Sequence, residues 1–175
     1  MTIKNTVIHD FVLYGLFATG ASGLTIENNI MNGIRPDLKP YDEQKLLKFP
    51  SPNGGWQMVG ANSYTFKNNT AASMWHSGFS LPSKKCGASS NIENNLAHSI
   101  SGFGVIVFSG AGSCSEFSKF KGYKNGLATV NMGVSGKNLI TDIVSVDSAF
   151  GINPMGSSGN PVEVRDNILY GSQDM

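Results

Sequence analysis

Charged residues are scarce in this sequence, and their scarcity excludes several classes of protein. They make up 14% of the 175 residues, against roughly 25% in an ordinary soluble domain. Basic and acidic side chains nearly balance, at 13 and 12, for a net charge of +1. Because a chain without a basic excess has no electrostatic footprint for nucleic acid, we predict no nucleic-acid partner.

Long apolar runs and strong helix-forming stretches are missing as well. No apolar run reaches the roughly 18 residues of a membrane span, and the first residues lead straight into patterned sequence without the features of a signal peptide. We therefore expect no membrane span and no leader in this chain. Gly, Ser and Asn number 21, 21 and 17. These residues favour turns and disfavour helix interiors, which excludes a helix bundle or a coiled coil.

An eight-residue repeat is the main pattern that the sequence does contain. It reads apolar, polar, Asn or Asp, any residue, two apolar residues, any residue, and a small residue. Copies of the repeat start at Ile8, Ile26, Phe66, Ile92, Phe120, Ile140 and Val164. Successive starts lie 18 to 40 residues apart. This spacing suits the coils of a parallel β-helix with insertions at its turns, and it does not suit the blades of a propeller.

The residue types at each repeat position indicate which way the side chains point. The first position is always large and apolar, as an inward-facing stack requires, and the second is always polar. At the second position the charge alternates in sign, which predicts a ladder of ion pairs on the outer face. The residues of this ladder are Glu27, Lys67, Glu93 and Lys121. We predict an all-β fold: a right-handed parallel β-helix of about seven coils, forming one domain over residues 1–175.

The third repeat position is rich in Asn and Asp, and it includes Asn28, Asn68 and Asn94. Both residue types tolerate the left-handed turn conformation, and stacked Asn side chains can hydrogen-bond to one another along the axis. We therefore predict an asparagine ladder formed by these three residues. The sequon Asn68-Asn69-Thr70 also makes Asn68 a candidate for glycosylation in a secreted protein.

The two cysteines, Cys86 and Cys114, each precede a repeat by six residues. Equivalent positions on adjacent coils lie about 4.8 Å apart, within the Cα range of a disulfide. The spacing therefore predicts a Cys86–Cys114 bridge and hence an oxidising compartment. Two cysteines without a CxxC motif or a nearby pair of His do not make a zinc site, so we predict no metal site from them.

Residues 35–60 depart from the repeat. The segment contains Pro36, Pro40, Pro50 and Pro52, and proline does not suit the interior of a sheet. We predict a loop that protrudes from a turn. Such a loop is either a contact surface for a partner or an insertion without a role.

Asp142 and Asp166 are the candidate catalytic residues, because they share the third repeat position on consecutive coils. Carboxylates stacked about 5 Å apart can bind Ca²⁺ or divide the acid and base roles of polysaccharide cleavage. The alternative interpretation gives both residues a turn-forming role only. We assign Trp56 and Trp75 to the core rather than to a sugar-binding platform, and Phe103–Phe108 to a buried strand.

The stretch from Asn68 to Gly102 resembles a known family. It reads Asn68-Asn-Thr-Ala-Ala-Ser-Met-Trp-His-Ser-Gly78-Phe79, then Cys86, then Asn94-Asn-Leu-Ala-His98-Ser99 and Gly102. This order is similar to the parallel β-helix region of the fibrocystin (polyductin) and fibrocystin-like proteins. The resemblance implies a large extracellular, receptor-like protein of the cell surface, often associated with cilia, of which this chain would be a fragment. It assigns no catalytic residue.

These observations lead to three hypotheses about function. The first is a non-catalytic extracellular structural or recognition module that presents its faces and the 35–60 loop to a glycan or a protein. The second is a carbohydrate-active enzyme, a lyase or hydrolase, that uses Asp142 and Asp166 with or without Ca²⁺ and no other cofactor. The sequence contains one acid pair with few partners, which favours the module. The third is end-to-end assembly through uncapped coil edges.

Overall fold

The chain folds as a stack of short parallel strands. The computed structural model describes residues 1–11, 15–20, 22–34, 54–59, 63–86, 91–108, 114–133, 136–154 and 161–171. The strands in these ranges are β1 (Thr2–Lys4), β2 (Val7–Phe11), β3 (Leu16–Thr19), β4 (Ser22–Glu27), β5 (Ile30–Ile34), β6 (Gly54–Val59), β7 (Ser63–Lys67), β8 (Thr70–Ala72), β9 (Ser77–Pro82), β10 (Lys84–Lys85), β11 (Asn91–Glu93), β12 (Asn95–His98), β13 (Phe103–Phe108), β14 (Cys114–Tyr123), β15 (Ala128–Gly133), β16 (Lys137–Val146), β17 (Phe150–Pro154), β18 (Val162–Arg165) and β19 (Ile168–Tyr170). The described residues contain no helix that could cross a membrane.

The strands form three sheets that line the sides of a solenoid. The first sheet has the order β1-β4-β7-β11, the second runs β18-β16-β14-β12-β8-β5-β2, and the third runs β17-β15-β13-β9-β6-β3. The long strands β14 and β16 continue from the first side onto the second. Six strands stack in the third sheet, so about five turns separate β3 from β17. The predicted parallel β-helix is confirmed, with about five turns instead of seven coils, which is a minor difference.

Strand pairing fixes the register of the repeat. Ile26 pairs with Phe66, and Phe66 with Ile92, as the repeat predicted. Ile3 and Phe117 take the first position in the remaining two coils, because they pair with Ile26 and Ile140. The starts predicted at Ile8 and Phe120 were wrong. Both residues are apolar and lie later in the same repeat, so an apolar pattern alone did not distinguish them from the true starts.

Aromatic side chains fill much of the interior. Trp56, Phe66, Phe79 and Phe120 are fully buried. Their rings meet edge to face, with centroid distances of 5.9 Å for Trp56–Phe66, 5.4 Å for Phe66–Phe79 and 5.5 Å for Phe79–Phe120. Such pairs contribute about 0.5–1.5 kcal/mol each beyond area burial. The predictions that Trp56 lies in the core and that residues 103–108 form a largely buried strand are confirmed.

The predicted 35–60 loop is wrong in its last part. Gly54–Val59 is strand β6, which pairs with β3 and β9 in the third sheet. Trp56 and Met58 point inward and are fully buried, as alternation along a strand requires. The four prolines that suggested a loop all precede this strand. Residues 35–53 and 60 lie outside the described residues.

Candidate functional site

Each coil turns at corners where one residue adopts a left-handed backbone conformation. The first corner follows the first sheet, with φ between 53° and 58° at Asn5, Asn28, Asn68, Asn94, Lys119, Asp142 and Asp166. The second corner follows the second sheet, with φ between 50° and 58° at Asp10, Ser73, Ser99, Lys124 and Asp147. Asn and Asp tolerate this conformation because their short polar side chains hydrogen-bond locally. The third repeat position is therefore a corner position.

Asp142 and Asp166 occupy the first corner on consecutive coils, next to the paired residues Thr141 and Arg165. Both side chains are exposed on the outside of the solenoid. Asp166 accepts a hydrogen bond from Arg165 Nη1 at 2.9 Å, and Asp142 accepts one from Thr141 Oγ1 at 3.5 Å. The described residues contain no group of three or more His, Cys, Asp or Glu side chains that could hold a metal ion. The pair is thus brought together, but on an open corner where one acid already has a cationic partner.

The asparagine ladder lies one residue later than predicted. Asn29, Asn69 and Asn95 are fully buried. Asn69 Nδ2 donates to Asn95 Oδ1 at 3.1 Å, and Asn29 Nδ2 donates to Asn69 Oδ1 at 2.9 Å. The backbone N–H of Asn69 also donates to Asn95 Oδ1, at 3.0 Å. The ladder therefore fastens the first corners of three successive coils to one another.

The residues predicted to form the ladder are the exposed corner residues themselves. Asn28, Asn68 and Asn94 are exposed, and Asn68 Nδ2 donates to Asn28 Oδ1 at 3.1 Å. The left-handed corner turns its own side chain outward and the following side chain inward. A repeat read from residue types alone does not show this rotation, because two successive residues are both Asn.

The predicted disulfide between Cys86 and Cys114 is present, with a Cα–Cα distance of 5.5 Å. Its position differs from the prediction, since the two residues are not equivalent positions of stacked coils. Lys84 and Lys85 of β10 pair with the start of β14 in antiparallel orientation, the one such pair among the described strands. Cys86 N donates to Cys114 O at 3.3 Å just beyond this pair. The bridge therefore ties the chain after β9 to the next coil.

Ion pairs run along the outer face of the first sheet, as the alternating charges predicted. Lys4–Glu27 and Lys67–Glu93 close to 2.8 Å and 3.1 Å. Lys119 approaches Glu93 at 3.5 Å and takes the place predicted for Lys121. The hydrogen bond and charge of Lys67, with a smaller effect of Lys119, lower the pKa of Glu93 below its usual value. These pairs are partly exposed to solvent, so each contributes little to stability.

Trp75 is exposed, and its assignment to the core was wrong. Its relative exposure is 65%, and it lies two residues after the second corner at Ser73. It lines an open surface depression of about 540 Å³. The other residues that line the depression are Ser73, Met74, Ser99, Ile100, Ser101, Lys124 and Gly126. An exposed tryptophan beside a depression makes this surface a candidate binding site.

The depression exists because side-chain size decreases along the stack. Backbone hydrogen bonds place three coils in register here, from Ser101 N to Met74 O at 2.8 Å and from Gly126 N to Ile100 O at 2.7 Å. Trp75, Ser101 and Gly126 therefore follow one another on the surface. A Cβ atom at Gly126 would lie only 2.3 Å from Ser101 O, so the chain needs glycine there. The large ring thus borders a floor of nearly bare backbone.

The rim of the depression is polar and carries one cation. The Ser101 hydroxyl donates to Met74 O at 3.1 Å and also to Trp75 O. Lys124 Nζ lies 5.2 Å from the centroid of the Tyr123 ring. The Tyr123 hydroxyl, through a hydrogen bond and its charge, raises the pKa of Lys124, and the Asp147 carboxylate adds to this effect. Lys124 is fully charged at neutral pH, so the depression combines an apolar ring, hydroxyl groups and a positive charge.

One signal in the sequence points to this site. At the second corner, the residue after each left-handed residue points inward. These residues are Met74, Ile100 and Asn125, and all three are buried. The next residue of each segment must then point outward. Aligning Ser73-Met-Trp, Ser99-Ile-Ser and Lys124-Asn-Gly would have placed Trp75 outside. The eight-residue repeat ends at Ser73 and Ser99, two residues before Trp75 and Ser101, so it did not include this comparison.

The architecture defines a class of protein, the parallel β-solenoid. Residues 1–135 match the family model described as the right-handed beta helix region. The match covers more than half of the chain, so the chain belongs to this family. No curated protein and no solved structure matches the sequence significantly.

Proposed function

We propose that this chain is a non-catalytic extracellular recognition module that binds a glycan at its second corner. The exposed ring of Trp75 beside a depression floored by Ser101 and Gly126 is the observation that carries the proposal. Ligand sites combine apolar surface with a few polar groups that fix orientation. A tryptophan face suits the C–H face of a sugar ring, and nearby hydroxyl groups suit its hydroxyls.

The Cys86–Cys114 bridge supports an extracellular location, because structural disulfides persist in oxidising compartments. We further propose a place in a larger cell-surface protein of the fibrocystin-like kind. Two glycines in the stretch that resembles the fibrocystin-like proteins, Gly78 and Gly102, are required by the close packing of the coils. A Cβ atom at Gly102 would lie 2.1 Å from His76 O, and one at Gly78 would lie 2.8 Å from Gly104 O. The resemblance thus rests on residues that a tightly stacked solenoid needs at these places.

The exposed position of the two candidate acids favours binding over catalysis. Asp142 and Asp166 take the left-handed corner, and Asp166 is paired with Arg165. Catalytic carboxylates act on a substrate that is held in a cleft, whereas both of these side chains lie exposed on the outside of the solenoid. The depression at Trp75 lies at the other corner, where Lys124 and three serines border it.

A binding screen tests the proposal. The native protein, Trp75→Ala and Phe150→Ala are applied to immobilised neutral and acidic extracellular glycans. Phe150 is the control because its ring is similarly exposed, at 61%, and it does not line the depression. We expect binding to at least one glycan by the native protein and Phe150→Ala, and loss of that binding in Trp75→Ala. Binding by none of the glycans, or binding that survives Trp75→Ala, would contradict the proposal.

The same glycans, incubated with the native protein with and without Ca²⁺, are then sized. We expect no shortening of the polymers. If the native protein shortens the polymers and Asp142→Asn or Asp166→Asn does not, the chain is a carbohydrate-active enzyme. The proposal of a non-catalytic module is then wrong.

A second candidate function is end-to-end self-association, which the exposed edges of the solenoid favour. Ile168, Leu169 and Tyr170 of β19 have relative exposures of 64%, 54% and 64%. Val7 is 63% exposed at the opposite end. An unpaired strand edge with apolar side chains is a template for another strand. Sedimentation velocity over a range of concentrations tests this: association that Ile168→Lys abolishes supports it, and a monomer at all concentrations contradicts it.

A further inference from the structure

The outer face of the second sheet carries apolar side chains although it faces solvent. The repeat has two adjacent apolar positions, the fifth and the sixth, and alternation along a strand requires one of them to point outward. In the register that strand pairing gives, Met31, Ala71 and Ala97 take the sixth position and are fully buried. The fifth position therefore points outward, and the packing of the solenoid interior does not explain why it is apolar.

Strand pairing joins the fifth-position residues into one continuous row on this face. In the order of the stack, the fifth-position row consists of Val7, Ile30, Thr70, Leu96, Lys121, Val144 and Ile168. Five of these residues are branched and apolar. Ile30 is 49% exposed, and Val7 and Ile168 are exposed still further. The row thus leaves a stripe of apolar surface in contact with solvent.

A second outward row, formed by the seventh repeat position, runs beside the first. It extends from His9 to Tyr170 and passes through Ala72, His98 and Tyr123. The two rows, all of whose residues the structure describes, contain Lys121 and no Arg, Asp or Glu. The outer face of the first sheet differs, because it carries the ion-pair ladder. A contiguous apolar face that is depleted of charge marks an interaction surface.

The order of residue types in the fifth-position row is nearly the same from either end of the stack. Leu96 is the central residue, and the others form pairs at equal distances from it: Thr70 and Lys121, Ile30 and Val144, Val7 and Ile168. In a twofold interface the same surface patch meets itself, so the patch must be self-complementary. The row meets this condition when two solenoids run in opposite directions.

We propose that the outer face of the second sheet binds a second copy of this chain, in a face-to-face dimer with antiparallel solenoids and a twofold axis at Leu96. Ile30 of one copy then faces Val144 of the other. Ala72, which is small, faces the exposed Tyr123 ring and leaves space for it. Thr70 faces Lys121, and the two Lys121 side chains stay about two coil spacings, or about 10 Å, apart along the stack.

The size of the face fits a weak dimer. Seven strand positions at about 4.8 Å give about 34 Å along the stack, and the length of a five-residue strand such as β2 gives about 16 Å across it. A dimer would therefore bury about 500 Å² on each copy and about 1,000 Å² in total, which is near the lower limit of a specific interface. We expect a dissociation constant in the micromolar range.

This dimer is independent of the proposed glycan site and of end-to-end association. Neither row contains a residue that lines the depression of Trp75. Leu96 lies in the middle of the second sheet, with three strand positions on either side of it. A change at Leu96 therefore alters the face and leaves both ends of the solenoid as they are.

Sedimentation equilibrium, from micromolar to millimolar protein, measures the association. The native protein should approach a dimer and not exceed it. Leu96→Lys should weaken the dimer about a hundredfold, because it places two ammonium groups against each other at the twofold axis. The matched control is Leu127→Lys, which makes the same change at an exposed leucine outside the second sheet and should leave the dissociation constant unchanged. Circular dichroism shows whether each variant is folded.

A pair of charged variants tests the antiparallel arrangement. Ile30→Lys and Val144→Glu should each dimerise at least tenfold more weakly than the native protein, because each buries a charge against an apolar side chain. An equal mixture of the two should dimerise again, since the introduced ammonium and carboxylate groups then face each other. The control mixture is Ile30→Lys with Leu96→Glu, two positions that do not face each other, and it should remain monomeric.

Each remaining outcome overturns the proposal in a specific way. A native protein that stays monomeric at millimolar concentration shows that a second copy does not cover this face. Flotation of that monomer with neutral phosphatidylcholine vesicles would assign the face to a lipid surface instead. A dimer that Leu96→Lys does not weaken uses another surface. Growth beyond a dimer that Leu96→Lys does not change indicates end-to-end association. If Ile30→Lys and Val144→Glu fail to dimerise together, the antiparallel arrangement is wrong.

Discussion

At the scale of the residue, the left-handed corners decide which side chains face the interior. Asn68 and Asn69 are chemically identical neighbours, yet one is exposed with φ of 54° and the other is fully buried. Asn69 links three coils: it accepts from Asn29, and it donates to Asn95 and to Ile26 O. A buried amide with its hydrogen bonds satisfied stabilises a fold, whereas an orphaned partner costs free energy.

Asn69→Ala is therefore expected to lower the free energy of unfolding by about 2–4 kcal/mol. It removes the acceptor of the buried Asn29 backbone N–H and the side-chain hydrogen bonds to Asn95 and to Ile26 O. Asn68→Ala should cost about 1 kcal/mol, from the strain of alanine in the left-handed conformation. Asn68→Gly should change stability little. Urea denaturation of the three variants measures these differences, and an equal loss in Asn69→Ala and Asn68→Ala would contradict the ladder.

At the scale of the element, short strands are joined by links between coils as well as by backbone pairing. Strand β10 has two residues, and it pairs with β14 through Lys84 and Glu116, whose side chains approach to 2.9 Å. The disulfide follows immediately and closes a segment with a sequence separation of 28. Such a link restricts the unfolded chain more than it adds contacts to the folded one.

Replacement of both cysteines by serine should lower the free energy of unfolding by about 3–4 kcal/mol, from the loop entropy of the closed segment. Reduction of the native protein should give a similar loss. The measurement is chemical denaturation with and without a phosphine reductant, and the double variant must be insensitive to the reductant. A native protein whose stability does not change on reduction would contradict this role of the bridge.

The ion pairs between β7 and β11 make stability depend on pH. The hydrogen bond and charge of Lys67 lower the pKa of Glu93 below its usual value in the folded protein, so the ionised form is favoured by folding. This stabilisation is present above the unfolded pKa and is lost as the pH falls through the folded pKa. Glu93→Gln should therefore be slightly less stable than the native protein at pH 7 and equally stable at low pH.

Denaturation at low salt, over a series of pH values from neutral to acidic, measures this difference. High salt is the control, since screening should reduce the gap at pH 7. A gap that persists unchanged in acid would show that Glu93 acts through packing and not through its charge.

At the scale of the whole molecule, burial decreases from the middle of the solenoid to its ends. All six residues of β9 are buried, whereas all three of β19 are exposed. Each coil contacts only its neighbours, so coils at the edges have fewer partners than those within the stack. Local opening should begin at these edges.

Hydrogen exchange should show this gradient directly. We expect amides of β9 and β13 to exchange about a hundredfold more slowly than those of β18 and β19 in dilute protein. If the solenoids associate end to end, protection of β19 must rise with concentration while that of β9 does not change. Uniform protection at all concentrations would contradict the nearest-neighbour description.

Much of the fold could be predicted from residue types, and the candidate site could not. The apolar first position, the polar second position and the Asn-rich third position are sufficient for a parallel β-helix, because each reflects the local geometry of a strand or a corner. The pairing of Cys86 with Cys114 was also predicted, although the antiparallel contact behind it was not. Register was harder, since Ile3 and Ile8 are both apolar and face the same interior.

The sequence by itself determined the architecture, because the solenoid repeats one local pattern and each coil obeys the same alternation of inward and outward residues. The tertiary structure decided which surface is available to a ligand. Trp56 is buried and Trp75 is exposed, and the stacking of coils places the small residues Ser101 and Gly126 next to the exposed ring. The depression arises from three residues, Trp75, Ser101 and Gly126, that are 26 and 25 positions apart in the chain. Their proximity depends on the length of each coil, a property of the packed stack rather than of any single repeat.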